Sequence, residues 1–163
     1  QQVNGEFAER FEGRNLDLIC ILQPEPLLIR ADSRRIWRVL ENLYVNVCKY
    51  AMPGTRVYVD AIKKDGKIQL SIKNISENPL NFQADELTER FIRGDVSRST
   101  EGSGLGLSIA KNLTVLQHGS FNIYLDGDLF KVTITFDEAV KEKKPMPPMI
   151  VPEAVQEEAQ QDA

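Results

Sequence analysis

Residues 55–74 read TRVYVDAIKKDGKIQLSIKN, two runs rich in β-branched and aromatic residues separated by Asp65 and Gly66. An Asp-Gly pair between such runs accepts the left-handed backbone of a two-residue turn, so the stretch is expected to fold back on itself as an antiparallel hairpin. A second hairpin is expected from SFNIYLD and DLFKVTITF, turning at Asp126, Gly127 and Asp128. Helical periods lie around these pairs. After Asp32, placed as an N-cap, Ile36, Leu40, Leu43 and Val47 recur at steps of four, three and four up to Tyr50. A further helix runs from about Gly104 to His118 through Ile109, Leu113 and Leu116, with Gly119 placed as its left-handed cap. Upstream, NLDLICILQ alternates Leu16, Leu18, Cys20 and Leu22 on one face of a half-buried strand that Pro24 and Pro26 end. Antiparallel hairpins interleaved with helices argue against a doubly wound parallel sheet. They predict an α/β (α+β) two-layer sandwich, a mixed β-sheet packed on about three helices.

The remaining segments set the boundaries. QQVNGEFAERFE spaces Val3, Phe7 and Phe11 along one helix face but has no start signal, so residues 1–13 are expected to be the end of an upstream helical hairpin or a linker. Residues 84–91 predict a short helix with acidic residues at its front, and 92–102 a polar, glycine-containing connection. Residues 14–137 make the folded domain. Beyond Asp137 the composition shifts to Lys, Pro, Glu and Gln, with four prolines between 145 and 152; residues 138–163 are expected to be a disordered tail.

Composition removes several functions. No run approaches the roughly 20 apolar residues of a membrane span, and no signal-peptide pattern begins the chain. The chain is therefore expected to be soluble. A net charge of −4 offers no basic stripe, and the arginines of ADSRRIWR are offset by acids elsewhere, which argues against nucleic acid as a partner. Cys20 and Cys48 lie apart in apolar stretches, outside any CxxC pattern, and are expected to be buried, inert free thiols.

Two stretches carry chemistry. EGSGLGLSIAKNL, residues 101–113, leads into a helix through Gly102, Gly104 and Gly106. Glycine there lets backbone amides approach a ligand, and a helix N-terminus favours an anion such as phosphate. A flexible loop capped by glycines is the alternative. The spacing is not GxxxxGK[ST], and no strand precedes it, so neither a P-loop nor a dinucleotide fingerprint fits. On the earlier helix, Asn42, Asn46 and Lys49 form one polar stripe that Tyr50 closes. Amide oxygens and a lysine suit a polyphosphate carrying Mg²⁺, a hard cation that takes its other ligands from phosphates and water. A solvated helix face is the alternative. A lysine about 4 Å from a phosphate charge is worth roughly 4 kcal/mol at an effective dielectric near 20, before desolvation. A helix N-terminus is worth about 0.3–1 kcal/mol, so Lys49 should outweigh any single glycine amide.

Taken together, residues 14–137 resemble the ATP-binding catalytic domain of two-component sensor histidine kinases. RVLENLYVNVCKYA resembles the asparagine box of that family, ERFIRGD its phenylalanine box and GSGLGLSIAK its second glycine box, in the same order and at similar spacing. The resemblance implies a Bergerat-type sandwich with ATP between the first domain helix and a lid at about 92–103. It implies Asn46 as the Mg²⁺ ligand and Asn42 as a polar partner of the phosphates and their water. Lys49 would contact phosphate, Tyr50 would lie beside the nucleotide, and Arg93 would support the γ-phosphate. Gly102, Gly104 and Gly106, with Leu105 and Leu107 between and after them, would seat the phosphates. The implied partners are a histidine on the parent's dimerisation hairpin and the aspartate of a response regulator. The isolated domain would be a monomer, the full-length protein a homodimer, and the parent a membrane-bound bacterial sensor whose kinase core faces the cytoplasm.

One motif departs. The first glycine box of the family carries an aspartate that accepts a hydrogen bond from the adenine amine; SIKNISENPLN places Asn74 there and Ser76 at the first glycine. A neutral bond is worth roughly 0.5–1.5 kcal/mol against about 1.5–3 for a charged one, so adenine recognition should be weakened without being abolished. The one histidine, His118, stands at a helix end and is read as a helix-terminal residue. The phosphoacceptor hairpin is therefore expected upstream. Glu41, a conceivable general base, points about 100° from Asn42 around the helix. Trp37 and Phe91 are read as packing residues. Two rival functions are a serine kinase or ATPase of the same fold and a degenerate interaction module that no longer binds nucleotide.

Overall fold

The computed structural model describes residues 2–80 and 105–139. Three helices, α1 (Gln2–Gly13), α2 (Ser33–Tyr50) and α3 (Gly106–Val115), and five strands alternate among the described residues. The strands are β1 (Asp17–Leu22), β2 (Arg56–Lys64), β3 (Lys67–Ile75), β4 (Ser120–Asp126) and β5 (Leu129–Asp137). They form one sheet in the order β1-β2-β3-β5-β4. β1 runs parallel to β2 and every other pair is antiparallel, so the sheet is mixed as predicted. Both hairpins form where the turn chemistry places them. Asp65 and Gly66 both take positive φ, 51° and 71°, and Gly127 takes 55°.

The two faces of the sheet divide as the alternation requires. On one face Val57, Val59, Ile72, Phe130, Val132, Ile134 and Phe136 join Val39, Leu43 and Val47 of α2 and Leu107 and Ala110 of α3 in a single core. The other face is polar: Asp60 pairs across β2 and β3 with Lys73, whose ammonium also lies 5.2 Å from the Tyr58 ring centre. α1 closes one end of the core. Val3, Phe7 and Phe11 are buried, and both phenylalanine rings pack on Tyr44 of α2, with ring centres 5.4 and 5.5 Å from it.

Several local expectations need correction. Cys20 is exposed, because β1 is an edge strand whose cover lapses after Leu16 and Leu18; the Asn4 amide reaches its sulfur at 3.1 Å. Cys48 is half-buried, which raises its thiol pKa. The left-handed residue that ends α3 is His118, φ 62°, not Gly119. His118 N–H bonds to Val115 C=O at 2.9 Å and Gly119 N–H to Thr114 C=O at 3.0 Å, a Schellman motif with His118 at C′. Gly119 is required for space instead: a Cβ there would stand 2.6 Å from the Phe136 ring and 2.9 Å from the Thr114 methyl. Finally, α3 begins at Gly106 rather than near Gly104, with Leu105 already in helical backbone. Residues 81–104 and 140–163 lie outside the described residues, and with them the predicted 84–91 helix, the lid, the ERFIRGD box and the bulk of the tail.

Candidate functional site

α2 supplies one wall. Asp32 caps it by accepting the Arg35 N–H at 3.0 Å, and that bond lowers its carboxyl pKa. The helix then buries Val39, Leu43, Tyr44 and Val47 on one side, leaving Asn42 and Asn46 half-buried at the margin and Lys49 exposed. Asn42 donates its Nδ2 to Arg38 C=O at 2.6 Å, which leaves Oδ1 to face α3. Among the described residues the Asn46 amide has no hydrogen-bond partner. No cluster of three His, Cys, Asp or Glu capable of holding a metal occurs among the described residues, so a divalent cation here would draw on an amide oxygen together with its own polyanion.

The start of α3 is the second wall. A Cβ built on Gly106 would stand 3.2 Å from Asn42 Oδ1, closer than side-chain contacts ordinarily allow. The α3 backbone therefore comes to the asparagine stripe as closely as glycine permits. Leu105 is exposed, whereas the Leu107 side chain is buried in the core, so Leu107 can offer a ligand only its backbone. Arg93, Gly102 and Gly104 lie outside the described residues.

The end of β3 is the third wall, and it is fastened to the end of α2. Met52 N–H bonds to Ile75 C=O and Glu77 N–H to Tyr50 C=O, at 2.9 and 2.8 Å, around the bridge between Ala51 and Ser76. Asn74 sits across from Phe130 in the inward-facing row of β3 and is 3% exposed. Its Nδ2 donates to Ile75 C=O at 3.1 Å, while its Oδ1 is buried with no partner among the described residues. A buried amide oxygen without a donor is unfavourable by about 1–3 kcal/mol. Turning the amide over would set two oxygens against each other at Ile75, so Asn74 is held as an acceptor. An amino group of a planar ligand such as adenine meets that requirement.

Arg14, at the exit of α1, joins the same corner. One of its terminal nitrogens, Nη2, donates to Ala51 C=O at 2.8 Å and to the Glu77 carboxylate at 2.7 Å. These partners lie 37 and 63 residues away in the chain, a contact that no local spacing reveals.

Between them, these walls define a two-layer α/β sandwich, with a buried amide acceptor at one end and an asparagine-lined helix facing a glycine-led one at the other. Residues 31–140 match the family of histidine kinase-, DNA gyrase B-, and HSP90-like ATPases, and the chain belongs to that family. It is 32% identical over 117 residues to the signal transduction histidine-protein kinase BaeS of Escherichia coli (strain K12), covering 71% of this chain and 25% of BaeS. It is 31% identical over 124 residues to the sensor protein VanSC of Enterococcus gallinarum, covering 75% of this chain and 34% of VanSC. The chain thus spans about a quarter to a third of these curated relatives. Its fold is that of the catalytic domain of the histidine kinase ThkA, with a TM-score of 0.72 over 84% of this chain and 88% of that one at 23% identity. No helix among the described residues is long and apolar enough to cross a membrane.

Proposed function

We propose that this domain binds ATP with Mg²⁺ and is the catalytic core of a sensor histidine kinase, donating the γ-phosphoryl group to a histidine on a separate dimerisation hairpin. The observation that carries this reading is Oδ1 of Asn74, which has no donor among the described residues and is buried at the end of β3, where the strand is fastened to the end of the asparagine-bearing helix. A base amine would supply the donor that this acceptor requires.

Asn74 would accept the base amine, with Tyr50 as a neighbouring wall. Asn46 would offer its oxygen to Mg²⁺, Asn42 would hold the phosphates and their water, and Lys49 would balance phosphate charge. The backbone at Leu105, Gly106 and Leu107, with Gly102 and Gly104 before them, would present N–H groups at the α3 start, and Arg93 would support the γ-phosphate. When bound, ATP–Mg²⁺ supplies the transferable phosphoryl and neutralises its charge. As the bond from γ-phosphorus to the bridging oxygen breaks, a new one forms to the acceptor imidazole, and ADP leaves. Such transfer needs positioning and charge compensation more than covalent help from the protein. A response-regulator aspartate would take the phosphoryl group next, in a homodimeric, membrane-attached parent.

The test is calorimetry with ATP and Mg²⁺, followed by transfer from labelled ATP to a separately supplied phosphoacceptor hairpin. Heat on binding and label on the hairpin are expected, both lost in Asn46→Ala. No heat at millimolar nucleotide would sink the reading.

A further inference from the structure

We infer that Arg14 is a positioning residue for the nucleotide base: it fixes the spacing between the two walls that meet at Asn74. This rests on the proposed function and deepens it. The base pocket has no single scaffold. One wall is the end of α2, at Tyr50 and Ala51; the other is the end of β3, from Asn74 to Glu77. Two backbone hydrogen bonds cross between them. Arg14 adds a side-chain tie to both walls at once, with Nη2 donating to Ala51 C=O on one side and to Glu77 on the other.

Stability alone is a poor reason for this arrangement. Arg14 and Glu77 are 33% and 44% exposed, and ion pairs so open to water contribute little to folding. The Nε of Arg14 is meanwhile buried without a partner among the described residues, an unfavourable placement that a lysine would avoid. What the contact does secure is distance. A hydrogen bond from a base amine to Asn74 Oδ1 tolerates only about 2.7–3.2 Å, so a shift of about 1 Å in either wall removes it.

Arg14 is itself placed by the tight exit of α1. Its N–H and that of Leu16 both bond to Phe11 C=O, at 3.2 and 2.8 Å, and Asn15 takes a positive φ of 53°. Because Phe11 is packed on Tyr44, the attitude of α1 is transmitted through Arg14 to the base pocket. None of these residues belongs to the phosphate side of the site.

The experiment is titration of the full chain and its variants with ATP–Mg²⁺, alongside thermal melts without nucleotide. Arg14→Gln is expected to weaken ATP binding about three- to tenfold, and Arg14→Lys, which keeps a donor for both partners, to stay within about twofold of wild type. Glu77→Ala should weaken binding by less, and the Arg14→Gln/Glu77→Ala pair should be no worse than Arg14→Gln alone, since both act through one contact. A merely structural role would lower the melting temperature and leave affinity unchanged below it. Wild-type affinity in Arg14→Gln overturns the inference. If that variant does not fold, Glu77→Ala decides in its place, and affinity equal to wild type again overturns it. A wild-type chain that binds no nucleotide removes the proposed function, and this inference with it; binding by wild type with an unaffected Arg14→Gln removes the inference alone.

Discussion

Asn42 and Gly106 are 64 positions apart in the chain, yet a single carbon added to Gly106 would lie 3.2 Å from the Asn42 side-chain oxygen. An alanine near the start of a helix ordinarily stabilises by roughly 0.5–1 kcal/mol over glycine. Here that gain is opposed by displacement of an amide already tied to Arg38. Gly106→Ala should therefore yield no increase in melting temperature and should weaken ATP binding several-fold. Removing the obstructing oxygen in Asn42→Ala/Gly106→Ala should restore the melting temperature relative to Gly106→Ala. A single variant that melts higher than wild type and binds ATP equally well would show that the two walls are farther apart than this.

The buried acceptor at Asn74 makes a prediction with two opposed signs. Asn74→Asp replaces a neutral acceptor by a charged one, strengthening a bond to the base amine by about 1 kcal/mol, several-fold in affinity. The same change removes the Nδ2 donor that now satisfies Ile75 C=O and sets a carboxylate into a nearly closed site. Without nucleotide the variant should be less stable than wild type by about 1–3 kcal/mol. Calorimetry and melts separate the two effects. An ATP dissociation constant for wild type no weaker than that of the variant would refute the view that the asparagine weakens base recognition.

Much of this fold could be read from the chain because its signals are local. Asp65-Gly66 and Asp126-Gly127 set the hairpins by backbone conformation, and Asp32 sets the start of α2 by a bond three residues long. Burial was less legible where it depends on distant cover. Cys20 continues the alternation of Leu16 and Leu18 but stays exposed on an edge strand beside the polar Asn4 of α1, and Val39 and Tyr44 are buried through what α1 and the sheet bring to them. Within the candidate site, the asparagine stripe and the glycines announce themselves by spacing. Arg14 does not, because its partners are joined to it only by the completed sheet, and His118 takes the left-handed position that glycine next to it would ordinarily be assigned.

That last reversal is testable. Gly119 faces Phe136 and Thr114 at 2.6–2.9 Å from a would-be Cβ, so Gly119→Ala must push a core ring aside. Overpacking of this kind destabilises by about 1–3 kcal/mol. His118→Gly should do the reverse, relieving a left-handed non-glycine residue by about 0.5–1 kcal/mol. Chemical denaturation would measure both. If Gly119→Ala were harmless and His118→Gly destabilising, the roles assigned to the two positions would be wrong.

The cap of α2 gives the pH dependence. The Arg35 N–H bonded to the Asp32 carboxylate holds its pKa below the ordinary 3.8 in the folded chain, so the folded state binds this proton less readily than the unfolded one. The contribution of the cap is therefore complete above about pH 4 to 5 and fades as the pH falls through the lowered folded value. In an Asp32→Asn variant the amide oxygen would cap the same N–H without titrating. Wild type and variant should consequently converge in melting temperature as the pH drops from about 5 towards about 2, with wild type the higher at neutral pH. Melts across that range check it, and a gap that widens on acidification would mean that Asp32 is not charged at the helix start. Because α2 carries Asn42, Asn46 and Lys49, ATP binding by wild type should weaken over the same interval in which the cap is lost.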